Sequence, residues 1–443
     1  MGAAVREIQK RTNVRYVILT ILFIVTAVNY IDRSIISLAV PTLKKELVID
    51  SVLMGVILSG FSWAYVVMQI PGGWLLDRFG TRRVYGVGLL VWSVCTLLQG
   101  FATSFLVLLI LRVLLGLAEA PSFPGNSRLT TMWFPQQERG RAVMIYNSAQ
   151  YFGLALFTPV MAWILTKFGW HSMFSVAGIA GIVLAVIWFI FVRDPQDHPR
   201  VNQAEIDHIV EGGGLANVQG QEKVTWAHVR FLLTNRQMIG IYIAQFALNT
   251  IVYFFLTWFP TYLVQTRHMS ILKAGFMTSI TYLAAFVGGI VGGYISDLLL
   301  KSGKSLGVAR KTPIIIGFLL SSVIVLANFV NSTIAVVLIM ATSVFAKGMA
   351  GLTWSLVGDM APKKLIGFSG GLFNTAGNLA GIVIPLLVGY ILNTTHSFNG
   401  VFIFIAVVVI VAALCYLFVV RPVERLEVPE ESPLGSNPVH VGS

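Results

Sequence analysis

The stretch GGWLLDRFGTRR, Gly72 to Arg83, closes one long apolar run and opens the next. Paired glycines near the end of an apolar helix let a neighbouring helix approach closely. Asp77 follows four residues after Gly73, placed to accept hydrogen bonds from a nearby helix N-terminus. Arg78, Arg82 and Arg83 then hold the loop on one side of a membrane. A loop that only set topology needs the basic residues but not this spacing of glycine and aspartate.

The rest of the chain agrees with a membrane setting. Its 443 residues are 56% hydrophobic and only 11% charged, against roughly 25% charged in soluble proteins. A crossing helix needs about 20 apolar residues. Twelve such runs are expected, near 16–40, 52–76, 84–103, 105–132, 142–166, 171–192, 237–263, 272–299, 313–330, 333–360, 367–392 and 398–420. The runs are continuously apolar and too long for barrel strands. The first is too long for a cleavable signal and lacks a small-residue cleavage site. Cys95 and Cys415 sit in apolar runs and offer no metal site or disulfide framework.

The net charge is +12. Nucleic-acid binding is one source of such a charge, but the positive-inside rule accounts for it here. Lys44, Lys45, Lys167, Arg267 and Lys273 fall on one side, and Arg33, Arg112 and Lys347 lie within spans. The rest of the 31 basic residues fall on the other side, which places both termini in the cytoplasm.

Residues 194–236 are the one long polar interruption. The expected organisation is a cytoplasmic N-terminus (1–15), a six-helix bundle (16–193), a cytoplasmic linker (194–236), a second six-helix bundle (237–420) and a disordered cytoplasmic tail (421–443). Within the linker, Asn202 is placed to cap a short helix, with Glu205 at the third position of a capping box and Gly212–Gly214 as its stop. A solvated helix without chemistry is the simplest reading of it. The halves repeat weakly: GGYISD, Gly292 to Asp297, echoes GGWLLD, and MAPKKLIG in span ten echoes WFPQQERG in span four. Such repeats mark secondary transporters whose site lies at the midplane between halves.

Span one contains TAVNYIDRSIISLAV, Thr26 to Val40, with Asp32 and Arg33 deep in an apolar run. A charge at the bilayer centre costs at least ~3 kcal/mol. Arg112 and Glu119 of span four are seven residues apart and share one helix face, about 10.5 Å apart along the axis. Asp32 and Glu119 are the acids deep within spans, whereas the seven histidines fall in loops, the tail or helix ends. Intramembrane carboxyls mark ion or proton paths, so these two are the candidate proton carriers. A structural ion pair of Glu119 with Arg112 or Arg33 is the alternative. Asp32 and Arg33 point about 100° apart, so one can face Arg112 while the other faces a central cavity.

Arg33 is the candidate anion hook, because a guanidinium grips a carboxylate through two parallel hydrogen bonds. Lys347 is placed either to meet a second substrate carboxylate or to cap a helix carbonyl. Amides and hydroxyls gather in the spans, among them Tyr30, Tyr65, Gln150, Thr353 and Asn374. Some serve as interhelical glue, and their number suits a polyhydroxylated ligand. Trp354 is placed to stack on a sugar face or simply to pack.

GGWLLDRFGTRR resembles the loop between helices two and three of the major facilitator superfamily. NYIDR, FSWAYVVMQIPGGWLLDRFG, GLAEAPSFPGNSR, WFPQQERGRA, NSAQYF and FFLTWFPTYL together resemble its anion:cation symporters, over residues 15–420. The resemblance implies an all-α fold of twelve helices in two pseudo-symmetric six-helix bundles. It implies proton-coupled uptake of a sugar acid, an aldarate such as glucarate or galactarate or an aldonate such as galactonate. Its proton-binding carboxylates fall on Asp32 and Glu119, its substrate-binding arginine on Arg33 and its charge-pairing arginine on Arg112. Its sugar contacts fall on Tyr30, Tyr65, Gln150, Thr353 and Asn374. Its gating motif falls on Gly73, Asp77, Arg78, Gly80 and Arg82.

The expectation is a symporter of the bacterial inner membrane, working as a monomer with protons, a sugar acid and the lipid bilayer as its partners. No enzyme activity, cofactor, metal or nucleic acid is expected. An organic-anion exchanger of the same fold is the alternative. Exchangers for organic phosphates set an arginine in span seven, and IGIYIAQFALNTIVYFFLTWFP has none.

Overall fold

The computed structural model describes residues 11–214, 225–362, 365–420 and 423–427, and these form helices and short connections. The first part contains α1 (Val14–Glu46), α2 (Ser51–Phe79), α3 (Thr81–Gln99), α4 (Phe105–Glu119), α5 (Ser122–Trp133) and α6 (Gln136–Phe191). The linker contributes α7 (Gln203–Glu211) and α8 (Trp226–Thr234). The second part contains α9 (Arg236–Thr257), α10 (Phe259–Gln265), α11 (Ile271–Lys301), α12 (Leu306–Ser321), α13 (Thr333–Ala350), α14 (Thr353–Met360), α15 (Ile366–Thr395) and α16 (Asn399–Leu414).

Ten helical runs among the described residues are long and apolar enough to cross a membrane. Two features bring the number to the twelve expected. Gly169 (φ 82°, ψ 168°) breaks α6 into two crossings. The nineteen-residue α3 opens with Thr81-Arg82-Arg83, which dilutes its apolarity. Spans four and ten are broken helices. Ala120 and Pro121 separate α4 from α5, and Gly351 and Leu352 separate α13 from α14.

Between lipid-facing helices, association rests on close backbone packing more than on apolar burial. In the first half α1 and α3 pack on α6, and α2 packs on α4. In the second half α11 packs on α13 and α9 on α15. The halves meet along α2 with α15 and along α6 with α11. The tightest of these approaches lie toward the end opposite Val14. Gly55 of α2 abuts the Pro385 carbonyl of α15, the Ser279 hydroxyl donates to the Ala155 carbonyl, and the Thr261 hydroxyl donates to the Ser37 carbonyl at 3.4 Å.

The Gly72–Arg83 stretch folds as a helix end, a tight turn and a helix start. Gly80 sits at φ 82°, ψ 147°, a region reserved in practice for glycine. Asp77 pairs with the Arg128 guanidinium of α5 rather than with a helix N-terminus. Arg82 donates to the Phe189 carbonyl at 2.6 Å, and Arg78 lies over the Trp74 ring. Gly72 stands against Pro121, whereas nothing lies within 4 Å of where a Gly73 side chain would be.

The linker helix α7 departs from the expected solvated element. Asn202 caps it by accepting from the Glu205 amide at 3.1 Å, as the sequence indicates. The Glu205 side chain turns the other way and is wholly buried. It accepts from the Thr12 hydroxyl (2.6 Å), the Val14 amide (3.1 Å), the Arg15 amide (3.2 Å) and the Arg15 guanidinium (3.0 Å). The first orphan donors of α1 are thereby satisfied by the linker. Of the expected tail, residues 423–427 are described and lie against α14. Arg425 reaches the Ala361 and Gly358 carbonyls, and the Leu426 amide donates to the Met360 carbonyl. Disorder expected from residue 421 onward therefore does not hold for these five, and the rest of the tail lies outside the described residues.

Candidate functional site

The site is built where α1 crosses α2 and α4. Arg33 and Glu119 form a buried ion pair, with Arg33 Nε donating to Glu119 Oε2 at 2.7 Å. Glu119 is the last residue of α4, and the turn at Ala120–Pro121 follows it directly. The Arg33 guanidinium lies over three rings, 5.1 Å from the centre of Tyr30, 4.8 Å from Phe61 and 4.6 Å from Tyr65. Cation–π contact of this kind stabilises a desolvated guanidinium by ~2 kcal/mol or more where water is excluded. Its Nη2 has no hydrogen-bond partner among the described residues, nor has Glu119 Oε1. Asn29 of α1 faces Glu119 with both amide atoms likewise unbonded.

Asp32 and Arg112 are both buried, at 1% and 2% exposure. They do not form an ion pair among the described residues. Both Asp32 carboxylate oxygens are unbonded there, and so are Arg112 Nε and Nη1. The Thr96 hydroxyl and the Trp92 indole of α3 face Asp32. Arg112 lies over the Phe61 ring at 5.3 Å. Of the two pairings open to Glu119, the structure takes Arg33. Arg112, the expected charge-pairing residue, holds none of the acids directly.

The second half contributes mostly neutral groups. The Thr353 hydroxyl donates to Gln245 at 3.3 Å. The Tyr253 hydroxyl donates to Asn378 at 2.7 Å, and the Asn378 amide donates to both oxygens of Asn374. Lys347 of α13 donates to the Tyr151 hydroxyl of α6 at 3.0 Å, a link from one half to the other rather than a helix cap. Gln150, next to Tyr151, bonds locally to the Asn147 carbonyl. Trp354 is 48% exposed and packs edge-on against Phe373. Tyr151, Tyr253, Phe61, Thr96 and Trp92 are additions that the sequence reading did not single out. Tyr151 was visible only as the neighbour of Gln150 in NSAQYF, and the aromatic cage around Arg33 follows from α1–α2 packing that no local pattern displays.

Charges in an apolar interior, broken helices beside them and two halves meeting over them are the layout of a transporter core. Comparison with known proteins agrees. Residues 22–309 and 303–441 match the Major Facilitator Superfamily. The chain belongs to that superfamily. It is 49% identical over 450 residues to a probable galactarate/D-glucarate transporter of Bacillus subtilis (strain 168), covering 99% of each chain. It is 43% identical over 418 residues to a D-galactonate transporter of Escherichia coli O6:H1, covering 93% of this chain and 97% of that one. Among solved structures, a D-xylose–proton symporter superposes with a TM-score of 0.73 at 16% identity, covering 92% of this chain and 98% of that one. The protein is thus a multi-pass membrane protein of the major facilitator fold.

Proposed function

We propose that this superfamily member is a proton-coupled symporter that imports a sugar-acid anion by alternating access. The observation that carries the proposal is the Arg33–Glu119 ion pair, buried beside a second acid, Asp32, that has no ionic partner among the described residues. The names of the relatives at 43–49% identity supply the substrate class.

The geometry suggests how coupling works. While Glu119 is ionised it claims Arg33. A proton on Glu119 weakens that claim and releases the guanidinium fork for a substrate carboxylate. Asp32 takes a second proton, which removes the cost of a bare carboxylate in an apolar interior. Release follows when the protons leave and Glu119 recaptures Arg33. Tyr30, Tyr65, Gln150, Thr353 and Asn374 read the hydroxyls. The distribution of basic residues supports both termini lying in the cytoplasm, with the protein in a bacterial inner membrane. The end opposite Val14, where the halves approach most closely, then faces outward. The protein works as a monomer.

The test uses purified protein in liposomes with an imposed pH gradient and D-glucarate, galactarate or D-galactonate outside. Wild type accumulates at least one of these anions (D-glucarate, galactarate or D-galactonate) against its gradient, and accumulation collapses when a protonophore dissipates the gradient. Glu119→Gln loses accumulation. Accumulation by Glu119→Gln at the wild-type level would sink the carrier role. A requirement for an internal counter-substrate would replace symport by exchange.

A further inference from the structure

Lys347 is a buried cation, 7% exposed, whose surroundings differ from those of Arg33. The ion pairs among the described residues involve Arg15, Arg33, Arg128, His208 and Arg310, and Lys347 is in none of them. Its partner among the described residues is the neutral Tyr151 hydroxyl at 3.0 Å, with the ammonium 5.2 Å from the centre of the same ring. An ammonium taken out of water is strongly disfavoured unless an anion compensates it. A phenol hydroxyl is a poor substitute, and an ammonium has three donors to satisfy.

The backbone fixes where this cation points. Gly348 stands against the Ala285 carbonyl of α11, and the Ala346 carbonyl lies against Gly317 of α12. With these flanks taken, the Lys347 side chain projects toward α6 and the opposite half. Tyr151 connects it to the Arg33 region. Gly153, two residues beyond Tyr151 on α6, packs against Ala27 of α1, one turn before Tyr30, whose ring lies under the Arg33 guanidinium. Two buried cations therefore border one central region, one from each half. One of them already has an acid, and the other has none among the described residues.

We propose that Lys347, oriented by Tyr151, is the subsite for the second carboxylate of a dicarboxylate sugar acid, and that this pair sets a preference for aldarates over aldonates. The inference rests on the sugar-acid reading and sharpens it. An aldarate bound by one carboxylate at Arg33 presents the other at its far end. There the ammonium supplies a charge-assisted hydrogen bond, and Tyr151 holds the lysine in place before the substrate arrives. An aldonate presents a hydroxymethyl group instead and leaves the ammonium uncompensated.

The experiment is equilibrium binding to the purified full-length protein with three six-carbon probes: galactarate, galactonate and galactitol. Wild type is expected to bind galactarate more tightly than galactonate by on the order of ten-fold or more, the usual worth of a hydrogen bond to a charged group. Lys347→Gln reduces that ratio to near one, and Lys347→Arg retains most of it. Tyr151→Phe, which keeps the ring and removes the hydroxyl, lowers the ratio by roughly three-fold, a modest loss of orientation. Equal wild-type affinity for the two acids overturns the inference and leaves the sugar-acid reading intact. So does a ratio that Lys347→Gln leaves unchanged. If Lys347→Gln does not fold, an unchanged ratio in Tyr151→Phe overturns it instead. Binding of galactitol alone, or of none of the three, overturns the sugar-acid reading and this inference with it.

Discussion

Spans four and ten occupy corresponding places in the two halves, and both are broken helices, yet they hold charge in opposite ways. Span four places Arg112 and Glu119 on one side of its break. With Asp32 and Arg33 of α1 it makes a cluster of two acids and two bases, in which one ion pair is closed. Span ten places Lys347 on one side of its break and Thr353 on the other. Its neighbours are a phenol, hydroxyls and amides. A balanced cluster can take up and give back protons without a large change in burial cost, because each charge lost unmasks a partner already in place. A lone cation cannot do that, but it can wait for an anion. Under the proposed symport the first half handles protons and the second receives the substrate's additional charge.

The largest expected effect would break this comparison at its base. Arg33→Ala leaves Glu119 buried without its partner and should destabilise the protein by about 3–5 kcal/mol. Lys347→Met removes a cation that has no acid among the described residues, so its stability should stay level or rise. Thermal unfolding in detergent measures both. A fall for Lys347→Met as large as that for Arg33→Ala would mean that Lys347 has an ionic partner after all, and the contrast between the spans would vanish.

Within the first half the two acids should also separate. Glu119→Gln gives up a 2.7 Å charge-assisted bond and should cost roughly 1.5–3 kcal/mol. Asp32→Asn gives up no ion pair among the described residues and keeps an oxygen to present to the Thr96 and Trp92 donors that face it. It should be neutral or stabilising, while still impairing proton-driven accumulation. Equal losses of stability in the two variants would place Asp32 in an ion pair, with Arg112 as the natural partner.

Much of the fold was legible because a membrane imposes simple rules on a sequence. Twelve apolar runs, a glycine-marked loop and a one-sided distribution of basic residues follow from length, packing and charge alone. The rarity of Asp32, Arg33, Arg112, Glu119 and Lys347 within those runs drew attention to them before any geometry. Their pairing was not legible. Glu119 had two arginines within reach, and the choice of Arg33 depends on how α1 crosses α4. Tyr151 is 196 residues from Lys347, and tyrosines within spans are too common to stand out. The linker shows the same limit. Asn202 announced α7 by its cap, but the partners of Glu205 lie 190 residues away on α1, so a locally solvated helix proved to be a clamp.

The smallest expected effects concern the loop that decided the fold, and they sharpen the comparison of halves. Gly80 after α2 and Gly303 after α11 both have positive φ, 82° and 79°, and nothing lies within 4 Å of a side chain added at either. Alanine there meets only backbone strain, so each substitution should cost about 1–3 kcal/mol. Gly73 and Gly293 also have open space around them, but they are helical. Alanine there should stabilise the helix by about 0.5–1 kcal/mol. Glycines that no neighbour requires in this arrangement make sense if a neighbour approaches in the other one. Gly73→Ala should then raise the unfolding temperature slightly and slow transport, because it favours the arrangement seen here over its alternative. A Gly73→Ala protein that is more stable and transports at the wild-type rate would show that Gly73 is not part of the moving surface, and would leave Asp77, Arg78, Gly80 and Arg82 to carry the switching role alone.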